Sequence, residues 1–177
     1  MAIDPGARAV AGLPPPVALL ERERELSALL AAADAAVAGS ARLVVVEGPA
    51  GIGKSRLLAA LREEAPGRGL RVLHARGGEL EEDFPFGVVR QLFEPALVDR
   101  GVRERWLSGA AAPAAAVFSP PGDETGGDAT FAALHGLYWL TATAAGEEPL
   151  LLCVDDLHWA DRPSLRFIAY LTRRRSP

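Results

Sequence analysis

The sequence predicts an α/β fold built on a parallel sheet, on three observations. Short apolar runs at Leu43–Val46, Leu70–Ala75 and Pro149–Val154 have the length and composition of strands buried on both faces. Amphipathic stretches at helical spacing separate them, as in chains that alternate strand and helix. After the first run stands Gly48-Pro-Ala-Gly-Ile-Gly-Lys-Ser55, a glycine-rich turn with the spacing of a phosphate-binding loop.

Composition bounds the reading. At 177 residues, 49% apolar and 24% charged, the chain is about one domain long with enough apolar surface for a real core. A net charge of -4 and a pI near 5.4 offer no broad cationic face, so no direct nucleic-acid contact is expected of this segment. The one basic run, Arg173-Arg174-Arg175, reads as the last turn of a helix or the start of a tail. A lone Cys153 excludes an internal disulfide framework; inside an apolar run it reads as a small buried hydrophobe, with a redox or catalytic thiol as the alternative. Asp4 and Pro5 stand where a signal peptide would need basic and then apolar residues, and no apolar stretch reaches membrane-spanning length. A cytoplasmic protein without a membrane partner is expected.

Residues 1–18, rich in Ala, Gly and Pro, read as a flexible leader, and 19–177 as one domain. Leu26, Leu29, Leu30, Ala33 and Val37 then mark an amphipathic helix that stops near Gly39. The run Leu43–Val46 reads as the strand that feeds the glycine loop. Arg56–Ala65 continues from that loop as a helix, ended by Pro66-Gly67, and Leu70–Ala75 as the second strand. Those three pieces make a β-α-β unit with a right-handed crossover. Gly77-Gly78 and the acids Glu79, Glu81, Glu82 and Asp83 read as a loop, and Phe86, Val89, Phe93 and Leu97 as a helix face broken near Pro95.

Trp106 and Leu107 suggest a short helix, Ala110–Ala116 carries Pro113 inside it, and Ser119–Asp128 reads as a plain loop. Asp128 or Thr130 would cap the next helix, whose face is Phe131, Leu134, Leu137 and Tyr138 and which ends near Gly146. His135 within it reads as a packed or partly exposed helix residue, since no second ligand type stands at metal-binding spacing. After the strand at Pro149–Val154, Pro163 opens a last helix with Leu165, Phe167, Ile168 and Leu171.

The loop chemistry follows from residue type. Gly48, Gly51 and Gly53 allow the backbone to curl so that successive N–H groups face inward as an anion nest at a helix N-terminus. Pro49, Ala50 and Ile52 fill the loop between them, and with Lys54, Ser55 and Arg56 they complete the set assigned to nucleotide phosphates. Lys54 would reach the β- and γ-phosphates and stabilise charge in the reaction; the Ser55 hydroxyl would ligate Mg²⁺. The plain alternative is a strand-to-helix turn with a chance Lys-Ser, but Lys54 is the only lysine in a chain whose other basic side chains outside its three histidines are arginines.

Asp155 and Asp156 close the last apolar run, at the strand edge where parallel sheets place ligands. With a phosphate loop upstream, Asp155 is the metal-side carboxylate and Asp156 the water-activating base; alone, the pair would read as an Asp-rich turn. His158 could sense nucleotide, or be a loop residue bonded to backbone.

Five stretches carry a family resemblance: Glu23-Arg-Glu-Leu26, Val46-Glu-Gly-Pro-Ala-Gly-Ile-Gly-Lys-Ser55, Phe84-Pro-Phe-Gly-Val-Val-Arg-Gln-Leu92, Leu134-His-Gly-Leu-Tyr-Trp-Leu140 and Val154-Asp-Asp-Leu-His-Trp-Ala-Asp-Arg-Pro-Ser-Leu-Arg-Phe167. From about residue 19 onward the chain resembles the ATPase region of large ATP-binding LuxR-type transcriptional regulators. That resemblance implies a P-loop NTPase of AAA-like, three-layer α/β/α architecture with ATP and Mg²⁺ as ligands. It implies an ATP-driven switch inside a long protein whose C-terminal helix-turn-helix reads DNA. Adenine over guanine also rests on it; the chain has no Asn, hence no Asn-Lys-x-Asp guanine motif.

Two departures stand out. Glu21 precedes Arg22 where the family usually has Gly, which disfavours an adenine contact by Arg22. The family's sensor strand, which lies between the loop strand and the Walker B strand, has no counterpart. A partial domain is therefore expected, with an incomplete sheet and two unpaired inner edges unless self-association or a partner chain completes it. The function so expected is a Mg-ATP-binding switch module with slow or absent hydrolysis; the alternatives are a small-molecule phosphotransferase and a non-enzymatic remnant.

Overall fold

A computed structural model describes residues 22–79, 84–119 and 127–173. Its sheet has two parallel strands, β1 (Arg71–Arg76) and β2 (Leu150–Asp155), in register from Arg71 opposite Leu150 to Arg76 opposite Asp155. Six helices surround it among the described residues: α1 (Glu23–Val37), α2 (Lys54–Glu64), α3 (Gly87–Leu97), α4 (Arg100–Trp106), α5 (Gly127–Glu147) and α6 (Arg162–Arg173). Tighter 3-10 segments run over Pro66–Arg68, Gly109–Phe118 and Leu157–Trp159.

Strand alternation sorts the side chains into three layers, as expected of an α/β/α architecture. Leu73 and Ala75 of β1, with Leu150, Leu152 and Val154 of β2, face the larger core built by α3 to α6. Val72 and Leu151 face the other way, onto Leu57 and Leu61 of α2, Leu29 and Ala33 of α1, and Ala65. Cys153 is buried and unpaired, as its apolar run predicts.

Phe93, Trp106 and Phe167 are wholly buried in the larger core, and Phe93 meets Phe118 and Phe167 edge-on at 6.5 and 6.2 Å. The Ala-rich stretch with Pro113 winds as a 3-10 segment, because a proline ring crowds the preceding α-helical turn and has no N–H to donate. Its small side chains admit α5 closely: a Cβ on Gly136 would sit 2.5 Å from the Ala114 nitrogen.

The run Leu43–Val46 corrects the sequence reading. It forms no strand: Leu43, Val44 and Val45 are 52, 50 and 61% exposed, and only Val46 leans on the α1–α2 cluster. A strand exists through a neighbour's hydrogen bonds, and among the described residues no segment pairs with this run or with the second edge of β2. The β-α-β unit expected across 43–75 is accordingly not made; the parallel partner of β1 is β2, reached through residues 77–149. The sheet is incomplete, as expected, with β2 leaving an unpaired edge.

Smaller corrections follow local chemistry. α3 runs through Pro95 to Leu97 without ending there. α5 starts at Gly127, so Asp128 and Thr130 lie inside it and do not precede it as caps. The leader 1–18, Glu81 to Asp83, residues 120–126 and Arg174-Arg175 lie outside the described residues. No described helix is long and apolar enough to cross a membrane.

Candidate functional site

The glycine loop turns into α2 through two left-handed residues, Gly51 at φ 77° and Gly53 at φ 94°. A β-carbon would be strained at either, which is why the sequence needs glycine there. Gly53 is the N-cap of α2 and no side chain caps the helix. The amide groups of its first turn, Lys54, Ser55 and Arg56 among them, therefore point out of the helix at its positive end. The Lys54 ammonium folds back across the loop, with Nζ donating to the Gly48 carbonyl at 2.8 Å and the Pro49 carbonyl at 2.9 Å. A second cation reaches the loop from α1, where Arg22 Nη2 donates to the Ile52 carbonyl at 2.8 Å and Nη1 pairs with Glu25 at 3.3 Å. Arg22 is thus committed to loop backbone.

At the far end of β2 the two carboxylates take different geometry. Asp155 ends the strand half-buried; Asp156 sits at φ 49°, left-handed and unusual for a residue with a β-carbon. The Asp156 amide donates to Asp155 Oδ1 at 3.0 Å, and Arg76 Nε donates to Asp156 Oδ2 at 2.9 Å, with Nη2 in ion-pair contact with the same oxygen at 2.9 Å. Among the described residues, nothing is bonded to Asp155 Oδ2 or Asp156 Oδ1. Gly77 follows Arg76 where two segments approach closely: its amide donates to the Asp155 carbonyl at 2.9 Å, and a Cβ would collide with the Asp156 backbone carbonyl oxygen.

Asp161 and Ser164 are buried behind this turn. Asp161 Oδ1 accepts from the Phe86 amide at 2.8 Å and the Ser164 amide at 2.9 Å, and Oδ2 from the Val88 amide at 3.3 Å, so one carboxylate caps both α3 and α6. Ser164 Oγ accepts from the Val89 amide at 3.2 Å. The Phe84-Pro-Phe-Gly87 and Asp155–Asp161 stretches are therefore one bonded unit.

The two halves meet as neighbouring elements, α2 packing on β2 through Leu57, Leu61 and Leu151. No hydrogen bond or ion pair among the described residues runs directly from the loop to Asp155 or Asp156. The donor set fits phosphate at α2 and fits Mg²⁺, which takes one or two protein oxygens and completes its shell with phosphate and water. The Ser55 hydroxyl, on the exposed first turn, and Asp155 Oδ2 are of that kind; no cluster of three His, Cys, Asp or Glu that could cage a metal occurs among the described residues. His158 is exposed and stacks at a tilt on Trp159, 5.0 Å between centroids. His135 lies half-buried among rings, Nδ1 3.3 Å from the Tyr170 hydroxyl and Nε2 accepting from Trp139 at 3.1 Å.

Arg76, Gln91, Gly77 and the double-capping role of Asp161 were not legible as site residues. Apart from Ser164 beside Asp161, their partners lie 15 to 80 positions away, as with Arg76 and Asp156, and the one local signal was the Gly77-Gly78 pair directly after β1.

A family model of the AAA ATPase domain matches residues 18–177. No curated protein and no solved structure matches the chain at a significant level.

Proposed function

The chain belongs to the AAA ATPase domain family, a class of nucleotide-binding P-loop modules, and from that premise we propose that it binds Mg-ATP as the switch module of a signal-responsive LuxR-type transcriptional regulator in the cytoplasm. The observation that carries the reading is the uncapped N-terminus of α2, reached through left-handed Gly51 and Gly53 with the Lys54 ammonium folded over the turn. Phosphate oxygens would take the outward amides of α2, and Lys54 Nζ would exchange the Gly48 and Pro49 carbonyls for them. Ser55 and Asp155 would hold Mg²⁺, which supplies charge neutralisation at the phosphates. Asp156 would accept a proton from the attacking water, with slow turnover resetting the switch. The regulator context rests on the two family-like stretches that Asp161 bonds together. Partners are then ATP and the remainder of the regulator, with no direct nucleic-acid contact by this segment.

The exposed run Leu43–Val45 favours a second reading, a remnant with little affinity for nucleotide until a second copy or another chain completes the sheet.

The test is equilibrium binding of a fluorescent ATP analogue with Mg²⁺ to the 177-residue chain, to Lys54→Ala and to Asp155→Ala, with circular dichroism confirming folding. Saturable binding lost in Lys54→Ala, and weaker or metal-independent in Asp155→Ala, supports the first reading. A folded chain that does not bind supports the second.

A further inference from the structure

We propose that Arg76 is the positioning residue for Asp156, holding its carboxylate in the orientation that lets the free oxygen act on water; this rests on the nucleotide reading above. Arg76 directs Nε and Nη2 at one oxygen of Asp156, Oδ2, both at 2.9 Å. Among the described residues Oδ1 has no partner, and it is the oxygen available to a proton.

Both partners are fixed through their backbones. The Gln91 side chain on α3 brackets Arg76, accepting from its amide at 3.0 Å and donating to its carbonyl at 3.1 Å. Asp156 is held in its left-handed turn by its amide bond to Asp155 Oδ1 and by the backbone of Gly77 packed on its carbonyl. β1 and β2 put these two backbones side by side, since Arg76 is the register partner of Asp155. The bracket on Arg76 therefore fixes the backbone from which its guanidinium reaches Asp156.

Stability does not explain the pair. Arg76 is 71% exposed and Asp156 25%, and an ion pair that open to water contributes little to folding. A weak bond between two independently anchored backbones, one of them in a strained conformation, is suited to setting geometry. In the step it serves, Asp156 Oδ1 takes a proton from the water whose oxygen bonds to the γ-phosphorus. The bond from that phosphorus to the β-bridging oxygen breaks, its electron pair stays on ADP, and inorganic phosphate is released.

The experiment measures analogue binding, steady-state and single-turnover hydrolysis of ATP with Mg²⁺ for the whole chain, Arg76→Ala, Arg76→Lys, Asp156→Asn and the Arg76→Ala/Asp156→Asn pair. The expected result is a hydrolysis rate about tenfold lower in Arg76→Ala and partly restored in Arg76→Lys, with KM and analogue affinity within about twofold of the parent. The double variant should be no slower than Asp156→Asn, because a positioning residue has nothing left to position. Losses that multiply in the double variant, a rate indifferent to Arg76, or saturable binding with no turnover in the parent each overturn the role of Arg76 while leaving nucleotide binding intact. A parent chain that does not bind nucleotide overturns the nucleotide reading and with it the role of Arg76.

Discussion

The Asp161 carboxylate holds the Phe86 amide at 2.8 Å, pinning a residue that itself sits at φ 60°. Asp161 is 2% exposed and accepts from three amides on two helices, so its removal leaves three buried or half-buried donors without an acceptor. Asp161→Ala is expected to cost about 3 kcal/mol in urea unfolding, and Asp161→Asn less, because one amide oxygen still accepts. A loss below about 1 kcal/mol for the alanine would show that water replaces the carboxylate and that the two stretches are not held by it.

Gly77 and Gly146 form a contrasting pair. A Cβ at Gly77 would collide with the Asp156 backbone carbonyl oxygen, whereas one at Gly146, exposed in α5, meets nothing within 4 Å. Gly77→Ala must push the end of β1 off the 156–160 turn, at about 2 kcal/mol of stability and with hydrolysis impaired more than nucleotide affinity. Gly146→Ala should instead stabilise by roughly 0.5 kcal/mol, since alanine suits a helix interior better than glycine. Thermal melts of the two variants beside the parent check both signs.

Val45 is 61% exposed inside an apolar run that has no strand partner among the described residues. Val45→Lys is expected to leave unfolding stability within about 0.5 kcal/mol of the parent while lowering self-association, because a charge on an unpaired apolar edge opposes pairing with another chain. Sedimentation velocity across a concentration series reads this directly. A marked loss of stability would place Val45 in a contact the fold depends on.

Cys153 titrates above the ordinary thiol value, chiefly because burial disfavours the thiolate and secondarily because of Asp155, against an opposing pull from Arg62. Since the folded value is the higher, stability is undiminished below the unfolded thiol value of about 8.5 and declines as pH rises from there toward the folded value. Cys153→Ala should remove that alkaline decline, measured as urea midpoints between about pH 7.5 and 10. In the native chain a thiol reagent should modify Cys153 slowly at neutral pH and rapidly once urea unfolds it.

Much of the site was legible from residue order alone, because the chemistry is local. Gly51, Gly53, Lys54 and Ser55 are neighbours in sequence, and a left-handed turn into a helix needs nothing distant to specify it. The same holds for Asp155 and Asp156 at the end of a leucine-rich strand. The apolar periodicities of α1, α2, α3 and α6 gave the inward faces apart from Val37 and Leu165, which are exposed, as is Phe131 on the face assigned to α5.

Pairing across the chain is a different matter. Leu43–Val46 has the composition of a buried strand, yet composition supplies only half of a hydrogen-bond ladder; without a neighbour the run stays in irregular, largely exposed backbone. Arg76 reaches Asp156 across 80 positions only because β1 and β2 align in parallel, and Asp161 caps α3 only because α6 packs against it. Sequence alone determined the strand and helix propensities, the left-handed glycines and the placing of one lysine among them. Tertiary structure decided which strand found a partner and which distant donors oriented the two carboxylates, since hydrogen bonds between remote segments depend on packing that no local pattern encodes.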